Sequence, residues 1–150
     1  MAVMKRLAGI VCFLVLAAGP AGARAFAAAA ADRLLGQWNS ADGDARIEIS
    51  TATAGYCGRI VWMREPFKDG KPRVDDKNPD PALRQRPIQD LTILRGFVFD
   101  GNDMWKDGKI YDPKSGNEYR ARITWVNEKK IVLRGYIGVP WLGRSEAWTR

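Results

Sequence analysis

Apolar and polar residues alternate with a period of two over most of the chain after Leu34. The alternation is clearest in residues 118–126, where every second side chain from Tyr119 to Trp125 is apolar and those between are polar. A strand with one face in the core and the other in water produces this period. Short clusters of Gly, Asp, Asn and Pro, which favour turns, separate similar segments. The predicted strands cover residues 34–38, 45–49, 56–63, 91–99, 104–105, 109–111, 118–126, 130–137 and 144–150.

Eight or nine short strands joined by hairpin-length turns are typical of an antiparallel meander. A sheet of this size removes its exposed edges when it closes on itself. We therefore predict an all-β fold, a small up-and-down β-barrel. A barrel of about eight strands is either filled by its own side chains or holds one small ligand.

Residues 65–90 interrupt the alternation with five prolines and mixed charges. Asn78-Pro79-Asp80 is the predicted start of a short helix, with Asn78 as N-cap and Pro79 in the first position. A long loop in a compact domain is often a lid or a binding loop. It could equally be a linker that crosses one end of the barrel, and the sequence favours neither alternative.

The N-terminus has the pattern of a secretory signal peptide. Lys5 and Arg6 precede an apolar run of twelve residues, 7–18. This run is shorter than the roughly 20 residues that a membrane span needs, which argues against a retained anchor. We predict a signal peptide over residues 1–25, an N-terminal tail over 26–33, one domain over 34–150 and a periplasmic or secreted location, with no membrane span after cleavage.

Composition narrows the chemistry further. The chain has no His, which excludes His-activated nucleophiles and His-based zinc sites. Cleavage after Ala25 removes three basic and no acidic residues, so the net charge falls from +7 to +4, too low to indicate a nucleic-acid partner. Cys57 is then the single remaining cysteine, for which burial in a strand is the favoured interpretation.

Several motifs resemble, in order and spacing, a bacterial secreted family known as domain of unknown function 2147. The resemblance covers nearly all of the chain after the leader and implies a lipocalin-like β-barrel, with no activity or catalytic residues to carry over. Gln89-Asp90 depart from the family pattern, which is apolar there. The matching segments are Gly36-x-Trp38, Gly58–Trp62, Asp75–Pro87, Trp105–Tyr119, Arg134–Gly138 and Leu142–Arg150.

Gly36-x-Trp38 is also similar to the lipocalin signature, in which the Trp of the first strand lies under a basic side chain from a late strand. Arg134, Arg144 and Arg150 are the candidates for this cation, and we favour Arg150. Such a cation–π contact stabilises the barrel rather than binding a ligand. Gly36, Trp38, Arg150 and the helix cap Asn78 are therefore predicted to be structural.

The candidate ligand-binding residues are aromatic and basic. Arg134 and Tyr136 are two apart on one strand, so they share a face, and an inward guanidinium beside a phenol would bind a carboxylate. The opposite face, with Ile131, Leu133 and Ile137, is the stronger core candidate. Aromatic residues could line an apolar cavity or simply fill the core. The full candidate set is Arg134, Tyr136, Trp62, Trp105, Tyr111, Tyr119 and Arg86.

We expect no catalytic residues, cofactor or metal. The acids of the Pro-rich loop are typical turn and cap residues, and Asp75-Asp76-x-Asn78-x-Asp80 lacks the Gly and final Glu of an EF-hand. The favoured function is an exported binding module for a small apolar or amphiphilic molecule, including anionic ones. The alternatives are an envelope interaction module with a filled core, whose surface is the long loop plus Trp141, and an enzyme using carboxylates or Cys57.

Overall fold

The structure, a computed structural model, describes residues 20–150, so the basic and apolar parts of the predicted signal peptide lie outside it. The first element is helix α1, Pro20–Asp32. The tail predicted for residues 26–33 is therefore mostly helical, in keeping with the high helix propensity of its alanines. Tyr56 ties the helix to the barrel by donating a hydrogen bond of 2.8 Å to Asp32. Burial, together with this bond, raises the pKa of Tyr56 to about 12.

Eight antiparallel strands form a closed barrel, which confirms the predicted all-β, up-and-down fold. Their order around the barrel is β1-β10-β9-β8-β7-β6-β3-β2. The two remaining strands, β4 and β5, form a separate hairpin inside the long loop. The strands are β1 Gly36–Asn39, β2 Ala45–Ala52, β3 Gly55–Met63, β4 Phe67–Lys68, β5 Lys71–Pro72, β6 Thr92–Phe99, β7 Met104–Asp112, β8 Asn117–Asn127, β9 Lys130–Tyr136 and β10 Arg144–Thr149.

Strand β7 is one element where the sequence predicts two fragments. Asp107-Gly108 resembles a turn, but Asp107 adopts a positive φ of 61° within the strand, and the register to β8 shifts between Trp105 and Gly108. The irregularity is thus a β-bulge. A Cβ at Gly108 would lie 2.4 Å from the Phe97 ring, so glycine here lets that ring pack against the strand.

One end of the barrel is closed by packed side chains. Trp38 is fully buried there, and its indole N–H donates to the Leu34 carbonyl at 2.9 Å. The Arg150 guanidinium lies 4.2 Å from the centre of the Trp38 ring. It donates to the Leu35 carbonyl at 3.0 Å and to the Glu128 carbonyl at 2.6 Å. Arg150 therefore joins the segment before β1, the β8–β9 turn and the C-terminus.

The opposite end of the barrel carries the longer loops, including residues 64–91. This loop contains the β4–β5 hairpin and a short 3₁₀ helix, Pro81–Leu83. Asp80, not Asn78, is the N-cap of that helix, since its carboxylate accepts from the Ala82 amide at 2.9 Å. The prediction of Asn78 as cap was wrong by two residues, because Asn78 is buried and bonds to other parts of the fold.

Substitution of Arg150 by Lys tests the closed end. The charge would remain, but the hydrogen bonds to two separate carbonyls and the stacking on Trp38 would be lost. We expect the free energy of unfolding to fall by about 1–3 kcal/mol. Urea unfolding followed by tryptophan fluorescence measures this change. A stability equal to that of the wild type would show that Arg150 is not needed for closure.

Candidate functional site

A large cavity occupies the loop-bearing half of the barrel. Its volume is about 1770 Å³. The inner wall is apolar and well buried, whereas exposed residues of the loops border the outer part. The inner wall includes Ile47, Ile60, Ile93, Leu133 and Trp148.

Some of the charged side chains around the mouth pair with one another. Lys114 lies 3.1 Å from Asp42 and 3.5 Å from Asp44, which links the β7–β8 turn to the β1–β2 turn. A hydrogen bond from Ser40 is the main cause that lowers the pKa of Asp42, and its bond to Lys114 adds to the effect. Bonding to Asp42 in turn raises the pKa of Lys114. Both groups therefore stay charged at neutral pH.

Three of the predicted ligand-binding residues line the cavity. Tyr119 on β8 faces into it, whereas Tyr111 at the end of β7 and Tyr136 at the end of β9 lie opposite the outward Glu118 and Arg120 and border its rim. Gly135, on the inner face of β9, lies beside Tyr119, since a Cβ on it would be 3.7 Å from the Tyr119 Cβ. Its missing side chain leaves space in this part of the wall.

Trp62 and Trp105 do not line the cavity. A second bulge, where β2 pairs with β3, inserts one residue before Trp62 and turns that side chain outward. Trp62 is 42% exposed and lies against Arg46. Trp105 faces inward but belongs to the packed half, where it contacts Phe99 and Tyr56. Trp125 also lies in that half, beside Trp38, Arg33 and Arg150.

Arg134 lies on the outside of the barrel, so the inward Arg134–Tyr136 pair is not formed. Its guanidinium donates to the carbonyls of Pro140 and Trp141 and to the Ser145 hydroxyl. The prediction that the opposite face of this strand belongs to the core is correct for Ile131 and Leu133, which are buried. Ile137 lies beyond β9 and is 73% exposed. Arg134 thus holds the β9–β10 loop in place.

A buried carboxylate, Asp75, joins the long loop to the barrel and was not among the predicted site residues. It is fully buried. Its Oδ1 accepts from the Tyr111 hydroxyl at 2.6 Å, and its Oδ2 accepts from Asn78 at 2.8 Å. Arg86 donates twice to the same Oδ2, at 2.9 and 2.7 Å, and also lies over the Tyr111 ring. Asn78 and Arg86 are therefore bound to Asp75 and do not line the cavity.

The Asp75 cluster keeps a charge in the interior. Burial acts to raise the pKa of Asp75, but hydrogen bonds from Tyr111, Asn78 and Arg86 outweigh it and lower the pKa. The pKa of Tyr111 is raised by burial and by its bond to Asp75. Asp75 is therefore the acceptor for all three partners, and Tyr111 remains a donor.

Other features of the described residues bear on possible chemistry. Within residues 20–150, no group of three or more acidic or cysteine side chains is placed to hold a metal ion. Cys57 is half-buried, with its Sγ 3.4 Å from the Ser50 hydroxyl. None of the helices in this part of the chain is both long enough and apolar enough to cross a membrane.

A family model matches residues 36–150, which include every strand of the barrel. The family is DUF2147, described as an uncharacterized protein conserved in bacteria. The chain belongs to this family. A search of curated protein sequences finds no significant match.

The DUF2147 barrel is similar to a solved structure described as "Protein HP1028 from the human pathogen Helicobacter pylori belongs to the lipocalin family". The TM-score is 0.69 and the sequences are 20% identical, over 78% of this chain and 82% of that one. At this identity the comparison establishes a lipocalin-like fold but no function. A function has to be inferred from the side chains of the cavity.

Replacing Asp75 with Asn tests the link between loop and barrel. Asn retains the shape but removes the charge that Arg86 and Tyr111 bind. We expect a loss of about 3 kcal/mol in the free energy of unfolding at pH 7, measured by urea unfolding. The neighbouring Asp76→Asn, at an exposed position, is the matched control and should change stability little.

The same variant has an expected pH dependence. The pKa of Asp75 is lower in the folded chain than the roughly 3.9 of unfolded Asp. Its ionisation therefore stabilises the fold fully above that value, and this contribution disappears as the pH falls through the folded pKa. The stability difference between wild type and Asp75→Asn should shrink below about pH 4. A difference that stays constant down to pH 2.5 would contradict this assignment.

Proposed function

We propose that this DUF2147 protein is an exported carrier or receptor for one small amphiphilic molecule. The observation that carries the proposal is the open cavity with an apolar inner wall, enclosed by a lipocalin-like barrel. The volume of this cavity exceeds the roughly 300–1,000 Å³ of most small-molecule binding sites. It therefore has room for an acyl chain or an aromatic ring system. The charged mouth would receive the polar end.

The sequence pattern supports the location. A basic start, a short apolar run and small residues near Ala25 are the features of a cleaved leader. An apolar molecule that crosses the aqueous space of a cell envelope needs its hydrocarbon shielded from water. A cavity of this kind provides the shielding.

Filling the cavity tests the proposal. The probe is the neutral dye N-phenyl-1-naphthylamine, whose fluorescence rises in apolar surroundings. We expect the wild type to bind it and Gly135→Phe to bind it at least about tenfold more weakly, because the new ring would occupy the space beside Tyr119. Val132→Phe is the control, on the same strand but facing outward, and should bind like the wild type.

The result that would overturn the proposal is the absence of dye binding by the wild type, or equal binding by wild type and Gly135→Phe. Native mass spectrometry of protein purified from its own host adds an independent measurement. A small molecule that co-purifies with the wild type and is lost in Gly135→Phe would support the proposal.

A second candidate function is docking of an envelope protein at the mouth. The β9–β10 loop, residues 137–143, contains no polar side chain. Its Ile137, Trp141 and Leu142 are 73%, 75% and 74% exposed, and Arg134 fixes the loop. Fixed, exposed apolar groups of this kind mark interaction sites. For such a module we expected a filled barrel core, whereas the loop-bearing half of the barrel contains the cavity.

A photo-crosslinking amino acid at position 141 distinguishes the two functions. Docking predicts one specific protein adduct in intact cells, which is absent when the crosslinker replaces the exposed Val98 of β6, outside both the long loop and the β9–β10 loop. A carrier without a protein partner gives no specific adduct at either position. The adduct is read as a shifted band on denaturing gels.

A further inference from the structure

The inner face of β10 carries a carboxylate into the cavity. Glu146 pairs with Leu133 across the β9–β10 ladder, and directly opposite residues of antiparallel strands share a face. Leu133 is 3% exposed and lines the cavity, as does Glu146. The next inward pair toward the closed end is Trp148 and Ile131, both buried. Glu146 therefore lies between the mouth and the apolar inner wall.

Glu146 is an exposed residue on this wall and forms no ion pair within 4 Å among residues 20–150. Its carboxylate accepts a long hydrogen bond of 3.4 Å from the indole N–H of Trp148. Asp44 and Glu65 at the mouth pair with Arg64 and Arg73, whereas Asp69, Asp76 and Asp112, which also line the cavity, form no ion pair among the described residues. Glu146 differs from these three residues, which belong to the long loop and the end of β7, in lying on the inner face of a barrel strand. An ionised group without a partner on the wall of a binding cavity remains stable as long as water hydrates it.

A ligand that fills the cavity would displace this water. Removing the hydration of a carboxylate without replacing it costs several kcal/mol. A neutral or anionic group placed against Glu146 would incur this cost, whereas a cation would offset it. The occupant of the cavity should therefore bring a positive charge to this position.

Aromatic side chains on the adjoining wall suit the same charge. Tyr119 and Trp148 face the cavity with Glu146, and Tyr136 borders its rim. Gly135, next to Tyr119, pairs with Arg144, the residue two positions before Glu146, so the tyrosine and the carboxylate border the same space. Aromatic faces attract ammonium groups, most strongly when both are shielded from water.

We propose that the cavity binds an amphiphile with a positively charged nitrogen, held by the Glu146 carboxylate among the aromatic rings, with its apolar tail against the inner wall. This inference rests on the proposed function and names its ligand class. It replaces the expectation of an anionic head group, which relied on an inward Arg134. Arg144, on the same face, also lines the cavity without an ion pair among the described residues, and it lies one inward register pair nearer the mouth than Glu146.

The test compares three ligands that share a dodecyl tail: dodecyltrimethylammonium, dodecanol and dodecanoate. Each displaces N-phenyl-1-naphthylamine from the wild type below its micelle-forming concentration. We expect the cation to displace the dye at about tenfold lower concentration than dodecanoate, with dodecanol between them. Glu146→Gln should weaken binding of the cation about tenfold and leave dodecanol unchanged. Glu118→Gln, outside the barrel on β8, is the matched control and should bind like the wild type.

The outcomes distinguish a failure of the cationic ligand class from a failure of the proposed carrier function. Dodecanoate binding as tightly as the cation, or Glu146→Gln binding the cation as tightly as the wild type, would overturn the cationic ligand. In both cases dye binding that Gly135→Phe blocks would still support the carrier function. A wild type that binds neither the dye nor any dodecyl ligand would overturn both.

Discussion

Closure of the barrel depends on the contact between Arg150 and Trp38. Strands β1 and β10 share one register pair, Asn39 with Thr149, whereas β10 pairs with β9 through six residues. Few backbone pairs therefore join β1 to β10 at this seam, the junction that closes the barrel. Side-chain contacts must supply the remaining stability there. Arg150 does so because one planar guanidinium stacks on the Trp38 ring and donates to carbonyls on two sides of the seam. A lysine cannot make these contacts together.

A barrel fixed at one end can remain hollow at the other. The closed half has large, fully buried side chains such as Trp38, Trp105 and Phe97. In the loop-bearing half, Asp75 binds the long loop to Tyr111 on β7, so the loop forms part of the cavity wall. Breaking a buried ionic cluster costs several kcal/mol, and this contact therefore supports a fixed wall over a freely opening lid. The cavity then keeps its shape without a ligand.

The alternation of side chains predicted most of the barrel, since each strand buries one face. It could not predict where a strand gains an extra residue. Trp62 shows this, because the bulge between β2 and β3 reverses its direction although its spacing from Ile60 indicates the inner face. The bulge in β7 likewise resembles a turn in the sequence.

Contacts between distant segments were equally hard to predict. Asp75 and Tyr111 are 36 residues apart, and no local pattern indicates that they bond. The resemblance to DUF2147 brought both residues into matching segments without showing the pair. The sequence allowed either Arg134 or its neighbours Ile131 and Leu133 to face inward. In the structure Ile131 and Leu133 form the inner face.

The inner face of the last strand contributes both to barrel closure and to the cavity wall. From mouth to closed end, every second residue is Arg144, Glu146, Trp148 and Arg150. The first two adjoin the space that a ligand would occupy, and Arg150 closes the base against Trp38. Substitutions at residues 144 and 146 should therefore leave closure intact, because closure depends on the far end of the strand.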